Sequence, residues 1–183
     1  MDQPSTTWKQ TETTIKTSPL DSSAASQLIR YNSALLDKIG LPSTQLALDT
    51  DQLFTANFGG KQYSVVPVSR ESKEGIAAFT CSLLLFSKEG RLVGATDTLG
   101  SREVRPWTCG GVLALAFADL YPDESLGIIV IYEGTAPSSE SFRLPIALKA
   151  NLSHLIFVVD EQKTALLARK NVKTIKAARD VLR

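Results

Sequence analysis

The sequence predicts an α+β fold: a mainly antiparallel, twisted sheet of about six to eight strands, with an N-terminal helix, a short middle helix and a C-terminal amphipathic helix. Three observations carry this expectation. Apolar residues at helical spacing open and close the folded part of the chain. Between them lie short apolar or alternating runs separated by Gly-containing turns. Helices do not alternate regularly with strands, as a parallel βαβ sheet requires.

Taken in order, Met1 to Leu20 is rich in Ser, Thr and Gln, and its large apolar groups are Trp8, Ile15 and Leu20. Such a segment buries too little surface to offset its ordering entropy, so residues 1–20 read as a flexible polar arm. Residues 21–183 read as one domain. Asp21 or Ser22 offers an N-cap, and Leu28, Tyr31 or Asn32, Leu35 or Leu36 and Ile39 recur at helical intervals. Gly40 stops that helix and Pro42 prevents its resumption.

Leu46 and Leu48, then Leu53 to Phe58, read as short strands, with Gly59-Gly60 turning into a return strand from Tyr63 to Val68. Pro67 would put that strand at a sheet edge. Ile76 to Phe86 and Arg91 to Thr96 form a hairpin about Ser87-Lys88-Glu89-Gly90, and residues 97–108 are loop. Gly110-Gly111 would open a short helix from Val112 to Leu120, closed by Pro122. Leu126 to Glu133, Phe142 to Ala150 and Leu152 to Asp160 read as strands, and a helix from about 162 to 183 ends the chain.

Charge is unevenly placed. The net charge of +1 suggests no partner, but residues 163–183 hold seven basic side chains against Asp180, while the other 162 residues hold 13 basic and 18 acidic. If 162–183 were one helix, Ala165, Ala168, Val172, Ile175, Ala178 and Leu182 would share a face. Arg169, Lys173, Lys176 and Arg183 would lie within about 80° on the adjoining face. With Lys170 and Arg179 they form a basic surface suited to a polyanion, either nucleic acid bound without regard to sequence or an acidic membrane. Arg102 and Arg105, beside Trp107, add a smaller basic–aromatic cluster in the predicted loop. In the arm, Thr11 to Thr17 alternates around Ile15 and would add as a strand to a neighbouring subunit, with Trp8 as anchor. A homo-oligomer is the expected state.

The competing chemistry is a small cysteine hydrolase. Cys109 precedes the predicted middle helix, where the dipole favours a thiolate. His154 would act as base, with Asp160 or Asn151 orienting it. A regulatory protein-binding module is the third alternative. Two cysteines, Cys81 and Cys109, make no disulfide framework, which points to a reducing, cytoplasmic compartment. No secretory signal is read at Met1. Apolar runs such as Ile128–Tyr132 fall far short of the roughly 20 residues of a membrane span. With one histidine, a zinc site is not expected, and no cofactor is. Gly59-Gly60-Lys61 lacks the spacing of a phosphate loop. The leading expectation is a non-enzymatic, self-associating coat-, matrix- or packaging-like protein that offers a basic surface to an anionic partner.

Overall fold

A computed structural model of the chain describes residues 16–58, 60–71, 79–97, 108–123, 125–136, 138–150 and 157–183. The fold is α+β, with ten strands in two antiparallel sheets and four helices among the described residues. The first sheet holds β1 (Thr17–Pro19), β2 (Ala47–Leu48), β3 (Phe54–Phe58), β4 (Lys61–Glu71), β5 (Phe79–Ser87) and β6 (Leu92–Asp97). Its order is β1-β3-β4-β5-β6, and β2 pairs with β4 beyond the end of β3. The second holds β7 (Thr108–Ala118), β8 (Leu126–Thr135), β9 (Ser141–Ala150) and β10 (Val158–Val159), in the order β10-β9-β8-β7.

Side chains on a strand alternate between faces, so a strand buried on both sides must be apolar throughout. That is how the runs in β4, β5 and β8 are used. Tyr63 and Val65, Leu83 and Leu85, and Ile128, Val130 and Tyr132 point between the sheets and form one shared core. Their neighbours Val66, Val68, Leu84 and Phe86 meet Ala25, Ile29 and Leu36 of α1 (Ser22–Tyr31) and α2 (Ser33–Lys38). Ile129, Ile131 and Ala147 meet Leu167 of α3 (Glu161–Arg169) and Ala178 of α4 (Ile175–Leu182). Helices therefore cover the outer faces of both sheets, giving four layers among the described residues.

The N-terminal helix begins as expected, with the Asp21 carboxylate accepting hydrogen bonds from the amides of Ser23 and Ala24 at 2.9 and 3.2 Å. It is not continuous to Ile39. Asn32 separates α1 from α2, donating to Leu28 O and Gly90 O and accepting from the Leu92 amide. One polar side chain thus ties the helix end to the β5–β6 hairpin, and Tyr31 is left exposed. Gly40 closes α2 at φ +82°, with the Leu41 amide reaching back to Leu36 O.

Two further expectations are corrected, and a third is seen only in part. The middle helix from Val112 to Leu120 is instead strand β7, paired along its length with β8. Ala and Leu favour a helix in isolation, but the ladder to β8 and burial between the sheets override that weak preference. Two bulges and Gly111 at φ +142° absorb the irregularity. Pro67 lies inside the sheet, not at its edge. It falls where β4 changes partner from β3, which ends opposite Val65, to β2, which begins opposite Val68. Its carbonyl still accepts from the Asp49 amide, and its missing N–H faces the gap between those partners. The predicted strand from Leu152 is seen as β10 only at Val158–Val159, its earlier part lying outside the described residues.

Two edges are closed by neighbouring chain. The Asp49 carboxylate accepts from the Val112 amide at 2.7 Å, and the Gln52 side-chain amide donates to Leu113 O, so residues 49–52 cover part of β7. The Phe157 amide donates to Ala95 O on β6, and its ring lies directly over Gly94. A Cβ at Gly94 would sit 2.0 Å from that ring. Because Phe157 is buried in the shared core, the ring has little room to yield. Gly94→Ala is expected to destabilise the fold by about 1–3 kcal/mol in denaturant unfolding, as overpacked cores do. Unchanged stability would show that the contact is loose.

Candidate functional site

The C-terminal basic segment forms a corner of two helices, not one helix. The break is built from local chemistry. Asn171 adopts φ +51°, the Val172 amide bonds to Leu167 O at 3.1 Å, and the Asn171 amide bonds to Ala168 O at 2.9 Å. This pair of bonds closes the C-terminus of α3, with Val172 buried in the same cluster as Leu167. Three residues later the Thr174 hydroxyl accepts from the Ala177 amide at 3.2 Å and caps α4. Between the two caps, the Arg143 guanidinium of β9 donates to Lys173 O at 3.2 Å and pins the corner to the sheet.

The single stripe expected from residues 162–183 therefore does not exist. Ala165 and Ala168 are exposed, and Leu167 is the fully buried residue of α3. The cations regroup around the corner: Arg169 and Lys170 at the end of α3, Lys173 in the link, Lys176 in the first turn of α4. All four are exposed. None has a side-chain hydrogen bond or ion pair among the described residues. No acidic residue stands between Glu161 and Asp180, so the segment itself offers these cations no ion-pair partner. Arg169 and Lys170 also complement the negative end of the α3 dipole.

The other expected cations lie apart from this set. Arg179 is half-buried and donates to Phe117 O at 3.1 Å, bracketing α4 to β7. Arg183 is exposed at the chain end. Arg102, Arg105 and Trp107 lie outside the described residues, as do Trp8 and Ile15, the expected contacts for self-association. Thr17–Pro19, the end of the expected arm, pairs with β3 of its own chain as β1, in register with Phe54–Ala56. Arg143 was not singled out from sequence, because nothing local relates β9 to the C-terminal segment. Asn171 and Thr174 were legible signals, since αL-tolerant Asn followed by an N-capping Thr marks a helix break.

The cysteine-hydrolase reading loses its nucleophile. Cys109, on β7 and not at a helix start, is disulfide-bonded to Cys81 on β5, with Cα atoms 5.8 Å apart across the shared core. Both are buried. His154 and Asn151 lie outside the described residues. The bridge also counts against the reducing compartment expected from the cysteine number, since disulfides persist in oxidising surroundings.

Asp160, the expected orienting carboxylate, has a structural role. It caps α3 by accepting from the Lys163 amide at 2.9 Å, and it accepts the Tyr121 hydroxyl at 2.9 Å. Lys163 lies 3.7 Å from the same carboxylate, and Lys149 pairs with Asp123 at 2.6 Å. Both ammonium groups also approach the Tyr121 ring, at 4.8 and 5.1 Å from its centre. Burial first, then the bond to Asp160 and the nearby carboxylates, push the Tyr121 hydroxyl well above its usual range. Burial alone would raise Asp160, but the Lys163 amide, the Tyr121 hydroxyl and the Lys163 charge together hold it low. Hydrogen bonds from Lys149 and Ser125 hold Asp123 at about 2. A tyrosine held protonated this way is a poor base, and the group reads as a clasp joining the β7–β8 loop to β9 and α3.

Among the described residues no group of three His, Cys, Asp or Glu side chains is arranged to hold a metal ion. No helix there is long and apolar enough to cross a membrane. No protein-family model, curated protein or solved structure matches the chain.

Two outcomes test these assignments. Iodoacetamide should leave folded, unreduced protein unlabelled at either cysteine. Reduction should lower stability by about 3–4 kcal/mol on the loop-entropy scale for a 28-residue separation. Rapid labelling of Cys109 without reductant would restore it as a nucleophile. The clasp should show in pH dependence. A carboxylate with a lowered folded pKa stabilises fully above about pH 4, and that contribution is lost as pH falls toward the folded value. Asp160→Asn keeps a capping oxygen but not the charge, so it should flatten the acid-side fall in melting temperature. An identical acid limb in this variant would remove Asp160 from the account.

Proposed function

We propose that this protein is a non-enzymatic, self-associating interaction protein that presents the α3–α4 corner to an anionic partner. The observation that carries the reading is the set Arg169, Lys170, Lys173 and Lys176. These are four exposed cations around one capped, pinned turn, without acidic neighbours in the intervening sequence. Exposed cations with no structural partner raise the local potential and draw in polyanions. Their display on a turn fixed by Asn171, Thr174 and Arg143 reduces the ordering cost of binding.

Self-association rests on less. β1 is three exposed residues long and is followed at Leu20 by the start of the helical layer. A strand so lightly held by its own sheet is suited to pairing with the β3 of a second copy, and Trp8 and Ile15 precede it in sequence. The reading does not depend on whether the compartment is reducing or oxidising, because neither the corner nor β1 contains a cysteine.

Lys173→Glu with Lys176→Glu is expected to weaken retention on heparin sharply while leaving melting within about 0.5 kcal/mol of wild type, as surface changes do. Sedimentation of the same two proteins should show an unchanged oligomer, since the corner and β1 are separate features. Equal heparin retention by both proteins would overturn the anionic-partner reading. A monomer at every concentration tried would overturn self-association.

A further inference from the structure

We infer that the partner of the α3–α4 corner is the phosphate backbone of a double-helical nucleic acid; this rests on the anionic-partner reading above and narrows it. Three features of the corner select among polyanions. Residues 161–183 contain no aromatic side chain, so the corner has no platform on which an unpaired base can stack. Proteins that hold single strands combine a basic groove with such stacking groups. The large apolar side chains of the segment are withdrawn from water: Leu167 and Val172 are buried, Ile175, Val181 and Leu182 are half-buried against the second sheet, and Leu166 is half-buried. The corner therefore lacks the exposed apolar face that seats an interfacial helix in a bilayer. What remains is charge in a fixed arrangement.

That remainder matches a duplex best. A double helix carries about one negative charge per 1.7 Å of axis, the densest regular anionic array among these candidates. Three of the four cations are lysines, compact charges that suit phosphates and read no base edge in a bidentate fork. The rigid turn holds them without requiring a flexible strand to wrap around it. Recognition is thus of backbone charge, indifferent to sequence and common to DNA and RNA duplexes.

The test uses the full chain and fluorescence anisotropy with a short labelled DNA duplex, an RNA duplex of the same sequence and the corresponding single strand. Vesicles containing phosphatidylserine form a fourth arm, read by co-sedimentation. The duplexes should bind more tightly than the single strand or the vesicles. If all four cations are used, the slope of log affinity against log salt should be near −3.6, or roughly a 150-fold loss between about 50 and 200 mM. Lys173→Gln with Lys176→Gln should bring that slope to about −1.8, and adding Arg169→Gln and Lys170→Gln should abolish binding. Far-ultraviolet circular dichroism would confirm that both variants stay folded. Single strands or vesicles bound as tightly as duplex, with the loss still following the variants, would overturn the duplex assignment and leave the basic corner standing. Binding to none of the four probes, or binding that the variants do not change, would overturn both.

Discussion

Burial of both sheets on both faces is the constraint from which the rest of this structure follows. The interior strands β4, β5 and β8 are apolar at consecutive positions, and their odd and even side chains must both leave water. One set is satisfied by packing the two sheets together, where Leu83, Leu85, Ile128 and Val130 are completely buried. The other set cannot be satisfied there. It needs α1 and α2 on one outer face and α3 and α4 on the other. Fully burying each large aliphatic side chain contributes about 1.5–3 kcal/mol, which outweighs the modest helix propensity of any of these short segments.

With four layers in place, the sheet edges become the next problem, because their N–H and C=O groups still need partners. The chain solves it with segments already near at hand. Asp49 and Gln52 reach the outer edge of β7, while Phe157 crosses onto β6 and fills the space left by Gly94. The Cys81–Cys109 bridge spans the same inter-sheet layer, tying the start of edge strand β7 to interior strand β5. These contacts join sheets that share no backbone ladder among the described residues.

The polar chemistry is sorted by the same layers. Where cations lie beside the body of the second sheet they are consumed by structure: Lys149 and Lys163 flank Tyr121 and pair with Asp123 and Asp160, and Arg179 brackets a strand carbonyl. Where α3 turns away into α4, Arg169, Lys170, Lys173 and Lys176 face water without side-chain partners among the described residues. The corner differs from the Tyr121 clasp in that its cations have no side-chain partners among the described residues, apart from the help Arg169 and Lys170 give to a helix end.

The sequence by itself determined the features whose cause is local. The Asp21 cap, the Gly40 stop and the Gly60 and Gly90 turns depend on a few adjacent residues, and so does the apolar character of β4, β5 and β8. The signals for breaking the last helix at Asn171 and Thr174 were equally local, and the regular spacing of alanines on either side masked them. Tertiary structure alone decided what depends on distant partners. Val112 to Ala118 has the composition of a helix and becomes a strand because β8 offers it a ladder and a buried face. Cys81 and Cys109 lie 28 residues apart in sequence and meet only when the sheets stack. Arg143 reaches the corner only because α3 folds back over β9. Such outcomes turn on which surfaces must leave water together, and that is a property of the packed layers that no window of neighbouring residues contains.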